Sequence, residues 1–446
     1  IRAATVSGNT VTTYGKLIDD YLATDVDVYK IYGSRVSLKN PKIIAEQDTP
    51  YPVTISLADG VLVERYHNIG GKYAGIKFDR CYNTEMVAPS ARNNSANNNL
   101  NYGVLISNCQ SFSVDGGDPA AARHAIAMGG SNETCCVPTR FVRISNATLA
   151  TSNNTIGAAD AHGNCEYITY ENCLIYAANI GGGNQTLVNC TLFARDLEDG
   201  CCWYASEILG GQFNIIDCTL ITHGDGNAFS YIDLRCNELL KWDLHVNIQN
   251  LTVKGGSGGS LAKIVRIDSA VDQTKKINVS IGGGTKCLLD NIMAFLTVRG
   301  IANHNTLMPS DYLIVDGVTA KSDGAYLIYP TPPSLAAKTR QQRQSGNVNL
   351  TMLSGQAFVR TEVTNFKYRY SKSPQANVTV SPSLGQTVSA TTYNPDYTTA
   401  STGLNFPVGG VASLGFETIR PCIFMPNKAS SPINLVVSWE VGINEV

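Results

Sequence analysis

A short pattern recurs along the middle of the chain: an apolar residue, any residue, Asn or Asp, a small residue, then an apolar or β-branched one. It is carried by Asn108 in ISNCQSF, Asn146 in ISNATLA, Asn172 in TYENCLIY, Asn189 in LVNCTLF, Asp217 in IIDCTLI, Asn250 in IQNLTV and Asp316 in IVDGVTA. Successive copies stand 38, 26, 17, 28, 33 and 66 residues apart, the irregular period expected of a constant turn joined to loops of varying length. Asn and Asp tolerate left-handed backbone and hydrogen-bond their own turn, so each copy predicts a short strand, a tight corner and a second strand. Cys109, Cys173, Cys190 and Cys218 follow that corner, where a small, half-apolar side chain suits stacking inside a narrow core. A 3.6-residue apolar period is hard to find between residues 100 and 320, so the region predicts a parallel β-solenoid in an all-β chain.

Composition bounds what such a chain can do. Its 446 residues carry 34 Lys and Arg against 36 Asp and Glu, a net charge of −2, which excludes a nucleic-acid binder held by a basic field. Charged residues are only 16%, so the surface is polar without being ionic, while 43% apolar residues exclude whole-chain disorder. No run of about 18 apolar residues and no charged-then-apolar leader occurs, so neither a membrane span nor a signal peptide is expected. A start at Ile1 suggests a processed chain or one cut from something longer. Thirteen cysteines, with adjacent pairs at Cys135-Cys136 and Cys201-Cys202, read as free thiols of a protein folded in a reducing compartment. Without a paired CxxC, and with six scattered His, no metal site and no cofactor are expected.

The Asn-Cys corners, together with YGVLISNCQSFSVDGG (102–117), RHAIAMGG (123–130) and AADAHGN (158–164), resemble the right-handed parallel β-helix of bacteriophage tailspikes and the related pectate-lyase-like proteins. The resemblance covers roughly residues 60 to 320. It implies a homotrimeric spike that binds and cleaves a bacterial surface polysaccharide, capsule or O-antigen. It further implies a virion component, folded in the host cytoplasm, that meets other tail proteins through a missing N-terminal part.

Around the solenoid, residues 1–60 read as an N-terminal cap, since a terminal rung would otherwise expose apolar core and strand edge. The solenoid is expected over 61–328, with a Pro-rich linker or loop at 329–347. Residues 348–446 alternate apolar with polar positions and predict a C-terminal antiparallel β domain, a small sandwich, to which the resemblance gives trimerisation or glycan binding.

Aligning IGAADAHG (156–163), YAANIGG (176–182) and YASEILGG (204–211) on their glycines puts Asp160, Asn179 and Glu207 at one position of three successive rungs. Rungs about 4.8 Å apart would bring the Asp160 and Glu207 carboxyls to the roughly 6.5–9.5 Å of inverting glycosidases. Equally, Asp and Asn ladders at solenoid corners serve to satisfy backbone groups. His162 lies on the Asp160 face and His124, beside Arg123, on the preceding rung, where they could hold an acidic sugar or orient the carboxylates. Glu198, Asp199 and Asp225 are reserve carboxylates if the alignment slips, and Arg235 is a further substrate-binding candidate. Trp203, Tyr204 and Tyr231 either stack on sugar rings or pack between subunits. The glycine runs at 181–183, 255–259 and 282–284 lack GK[ST] and read as turns.

The favoured expectation is an endoglycosidase in which Asp160 and Glu207 divide general acid and base roles. A lyase would take His, Tyr or Lys as base and Arg123 or Arg235 to neutralise a uronate. A deacetylase lacks a GxSxG elbow. A glycan-binding adhesin would need neither carboxylate.

Overall fold

The computed structural model describes residues 35–93, 101–129, 138–152, 157–194, 201–222, 230–256, 258–259, 261–269, 273–299, 313–315, 317–321 and 325–328, with strand segments at 3–13 and between 343 and 442. Three parallel sheets of eleven strands each wind into a right-handed β-helix. We name them in the order the chain visits them: sheet A (for example Thr139–Ser145), sheet B (Thr148–Thr151) and sheet C (Ala159–Ala161). No helix is present among the described residues, and none there is long and apolar enough to cross a membrane.

The corner between sheets A and B explains the repeat. Asn146, Asn172, Asn189, Asp217 and Asn250 all hold φ between 51° and 57°, or 49° for Asn250, the left-handed region that short polar side chains tolerate. Their side chains form a ladder: Asn172 Nδ2 donates to Asn146 Oδ1 (3.3 Å), Asn189 Nδ2 to Asn172 Oδ1 (2.8 Å) and Asn250 Nδ2 to Asp217 Oδ1 (2.8 Å). The next residue turns inward, and Cys173, Cys190 and Cys218 are buried thiols. Cys190 N–H donates to Cys218 Sγ at 3.5 Å, so sulfur continues the stacking one residue on. All ten described cysteines are free and buried. Asn108 and Cys109 instead occupy the corner between sheets C and A, where Asn108 Nδ2 donates to Asp79 Oδ1 (3.0 Å). Asp316 lies outside the described residues.

Inside runs one continuous apolar core from Ile55 to Ile328, with Val, Ile and Leu stacked over their counterparts in neighbouring rungs. Two boundaries differ from the sequence expectation. Val36–Lys39 already pairs in parallel with Asp59–Glu64, so the solenoid enters the region expected to be cap. Its first rungs are strands of three and four residues, too short to register as a periodic signal. The helical-looking segment 15–33 lies outside the described residues. At the other end, the strand Arg343–Met352 begins within the expected linker, because its Arg, Gln and Asn mask the alternation. It pairs antiparallel with Ile433–Gly442, and the C-terminal region forms two four-stranded antiparallel sheets.

Candidate active site

Sheet C carries an outward row in strict register: Ala127, Asp160, Asn179, Tyr204, Asp233 and Arg266 on successive rungs. Asp160 sits between Ala159 and Ala161, which belong to the core, so alternation points its carboxylate away from the core. It is nevertheless only 1% exposed. Asn179 Nδ2, one rung on, donates to Asp160 Oδ1 at 2.7 Å. His162 Nε2 stands 3.1 Å from Asp160 Oδ2, and His124 Nε2 3.8 Å from the same oxygen. Neither contact is aligned as a hydrogen bond on Oδ2, so this buried oxygen stands close to two imidazoles without an in-line donor.

Glu207 reaches this group by a route that the glycine alignment misplaces. In register, Tyr204 and not Glu207 stacks on Asn179, and Glu207 lies between Trp203–Ala205 and Ile208–Ile216, at the corner from sheet C to sheet A. This rung adds three residues between Tyr204 and Phe213 relative to the one before, which shifts the glycines off the register of the row. Glu207 still meets the site because the intervening rung has no side chains at that corner. Gly181 and Gly182 let the Glu207 backbone come close, and Gly163 leaves room for its side chain, since a Cβ there would stand 3.1 Å from Glu207 Cβ and 3.3 Å from Oε2. Gly182 N–H donates to Glu207 O at 2.6 Å, and a Cβ at Gly181 would stand 2.8 Å from that oxygen. Gly182 itself has φ +81°, and a Cβ there would meet Cys165 O at 2.1 Å. Glu207 Oε2 accepts from Gly163 N–H at 2.7 Å and lies 3.4 Å from His162 Nδ1.

His162 is therefore held between two carboxylates, buried Asp160 on Nε2 and Glu207 on Nδ1, with 45% of its own side chain and 55% of that of Glu207 exposed. The contacts to Asp160 and then Glu207 raise the imidazole to about 10, so it is protonated at neutral pH. The same contact with His162, aided by the Gly163 N–H, lowers Glu207 below the usual carboxylate range. Burial by itself would raise Asp160, but His124, His162 and Arg123 outweigh it and hold the group below its ordinary value. Burial lowers His124, which is neutral at pH 7, so the positive charges that act on Asp160 there are on His162 and Arg123.

The other residues singled out in the sequence divide. His124 is buried, stacks on Tyr102 (centroids 5.7 Å, 7°) and shares a 2.6 Å hydrogen bond from Nδ1 with Gly157 O. Arg123 lies 5.7 Å over the other partner of that stack, the Tyr102 ring. Tyr204 is outward and carries the Arg235 guanidinium 5.0 Å above its ring, while Arg235 Nη2 bonds Asp233 Oδ2 at 2.8 Å. Arg266, which the sequence reading missed, approaches Asp233 at 3.6 Å. Two expected sugar platforms are not on the surface. Trp203 and Tyr231 are 1% and 2% exposed members of the core, and Trp203 Nε1 donates to Ile180 O at 3.0 Å. In WYA, alternation that turns Tyr204 outward turns Trp203 inward. Tyr231 opens a strand buried on nearly every residue, where parity gives no guide. Glu198, Asp199 and Asp225 lie outside the described residues. No cluster of three or more metal-ligating side chains occurs among the described residues.

Residues 69–324 match the family described as Gp49, pectin lyase-like, more than half of the chain. The gp54 tailspike of Acinetobacter baumannii bacteriophage AP22, solved in complex with A. baumannii capsular saccharide, is 31% identical. The alignment covers 100% of this chain and 74% of that one, with a TM-score of 0.77. The Pseudomonas phage phi297 tailspike gp61 is 30% identical over 100% of this chain and 73% of its own, with a TM-score of 0.78. The tailspike gp49 of Pseudomonas phage LKA1 is 25% identical over 100% and 73%, with a TM-score of 0.72. Among curated protein sequences no match is found. The chain belongs to the Gp49, pectin lyase-like family, and it shares its β-helix with the tailspikes of bacteriophages.

Proposed function

We propose that this tailspike chain binds a bacterial surface polysaccharide along sheet C and cleaves it by hydrolysis at the Asp160–His162–Glu207 group. The observation that carries the reading is one imidazole held between a buried and an exposed carboxylate, on a face that continues into Asn179, Tyr204 and Arg235. The substrate class is supported by the AP22 relative, which holds a capsular saccharide.

Asp160 is too buried to touch a sugar, so its role is to fix the ring and the charge of His162. Glu207, ionised and exposed, takes a proton from the attacking water as its oxygen bonds the anomeric carbon. The imidazolium of His162, 3.4 Å from Glu207 and with a carboxylate on each ring nitrogen, keeps Glu207 ionised for this step. The leaving glycosidic oxygen takes its proton from solvent water, and Glu207 then returns the proton it took to solvent. Elimination across a uronate would turn the same ionised Glu207 on a ring proton, since His162 already carries its proton and His124 is buried, so the product decides between the two. By kinship with tailspikes, the chain acts in the virion tail as a homotrimer attached to other tail proteins, and its C-terminal sheets serve trimerisation or glycan contact.

The test is incubation with capsular polysaccharides and O-chains from a panel of Acinetobacter and Pseudomonas strains, followed by gel filtration and ultraviolet absorbance. Shortened chains without new absorbance are expected, together with loss of shortening in Glu207→Gln. Shortened chains with the absorbance of unsaturated sugars would replace hydrolysis by elimination. Binding without shortening would make the chain an adhesin.

A further inference from the structure

Sheet A carries a feature that the cleavage chemistry does not use. Phe141 and Tyr167, on successive rungs, hold φ 57° and 58°, within strands whose pairing passes from Arg140↔Glu166 directly to Val142↔Ile168. Asn83, Ser111 and Asn184 hold φ between 49° and 56° at the same place in neighbouring rungs, so the left-handed turn belongs to this sheet as a whole, and what sets these two rungs apart is the bulky ring each carries there. What it produces here is two rings turned to solvent, 45% and 44% exposed, stacked with centroids 5.1 Å apart and planes 17° from parallel.

A cavity of about 430 Å³ lies against these rings, lined further by Thr169, Asn184, Thr186 and Gln212. Its polar equipment is amide and hydroxyl. Asn184 Oδ1 accepts from Gln212 N–H at 3.0 Å, and Asn214 Nδ2 donates to Thr186 Oγ1 at 3.3 Å. Arg143, at the edge, has its charge matched by Glu171 at 2.5 Å. An aromatic face beside neutral donors and acceptors suits a ring with one apolar CH face and a hydroxyl rim. The cavity lies on the strands that lead away from the candidate active site. Tyr167 follows His162 by five residues and Gln212 follows Glu207 by five, so each is at most about 16 Å along the strand from the cleavage centre.

We propose that the Phe141–Tyr167 platform is a second glycan subsite, which takes uncharged sugar units of the same polysaccharide after it turns the corner from sheet C to sheet A. This rests on the reading of the chain as a polysaccharide-binding tailspike, though not on how cleavage occurs.

The experiment measures binding of the panel polysaccharides to full-length Glu207→Gln protein, with and without Phe141→Gly and Tyr167→Gly. Glycine relaxes the left-handed backbone, so these changes remove the rings without threatening the fold, and the thermal midpoint should hold or rise. Affinity for the long polymer is expected to fall about tenfold, as loss of a stacking platform implies. Phe141→Tyr with Tyr167→Phe should restore it. Unchanged affinity in the glycine variants overturns the platform and leaves the cleavage reading standing. Cleavage that survives Glu207→Gln overturns the active-site reading while the platform variants are still read by binding. A change in sedimentation of the glycine variants with unchanged affinity would make this face a contact between copies of the chain and also overturn the proposal. A panel in which nothing binds the native chain counts against both.

Discussion

Two corners of the same rung obey different rules. At the corner from sheet A to sheet B, Asn146, Asn172 and Asn189 stack at one register position with φ within a few degrees of one another, and each amide is answered by the next. At the corner from sheet C to sheet A, the chain near residues 162, 181 and 207 breaks register, drops its side chains at Gly181–Gly183 and sends Glu207 across a rung to Gly163. A ladder that satisfies itself has no group left for a substrate. The irregular corner keeps an exposed carboxylate, a charged imidazole and a buried carboxylate within contact of one another, and reactivity follows from that incompleteness.

The sharpest break between the corners is Glu207→Gln. Depolymerisation is expected to fall by about 10²–10⁴, the usual share of a general base, with the thermal midpoint nearly unchanged. A variant that keeps its rate would deprive the irregular corner of its chemistry. Trp203→Ala inverts this result. As a core residue whose Nε1 donates to Ile180 O, it should cost about 3–5 kcal/mol of stability, read from denaturant unfolding. Weaker polysaccharide binding at unchanged stability would instead restore Trp203 to the surface. On the regular corner, Asn172→Ala removes a donor to Asn146 and an acceptor for Asn189 and puts Ala at φ 54°. A loss of about 2–3 kcal/mol is expected, with activity per folded molecule preserved.

The same contrast shows what the sequence could reveal. Asn-Cys corners were legible because left-handed backbone admits few residues, and repetition makes the restriction visible. Asn179 above Asp160 was legible for a related reason, since both rungs keep the same spacing from alanine-flanked strand to glycine. Glu207 was placed beside Asp160 through a register that the fold does not have, because the three residues this rung adds between Tyr204 and Phe213 are invisible to a glycine alignment. Gly181–Gly183 looked like a turn, and its role depends on what an adjacent rung brings against it, which no local pattern records. Trp203 and Tyr231 were misread because aromatic residues near a carboxylate suggest a sugar platform whether they face out or in. The exposed platform of Phe141 and Tyr167 carries no local signature, since its rings are aimed by a backbone conformation that aromatic residues seldom adopt.

The smallest effect separates the corners by pH. The corner ladder of Asn146, Asn172 and Asn189 ends on the Asp115 carboxylate, which stays ionised throughout the alkaline range, so its contribution should be flat there. His162 is raised by Asp160 and Glu207 to about 10 from an unfolded value of about 6.5. A group raised on folding lends its stability fully below the unfolded value and loses it as pH climbs through the folded one. The native chain should therefore lose stability gradually between about pH 6.5 and 10, by a modest amount because His162 and Glu207 are half exposed and screened. His162→Gln should flatten that slope, whereas Asn172→Ala should lower the whole curve without changing its shape. Denaturant midpoints of the three proteins across this range decide the matter. Parallel curves for native and His162→Gln would mean that the imidazole carries no extra proton in the folded chain, and the charge that keeps Glu207 ionised at the irregular corner would have to be sought elsewhere.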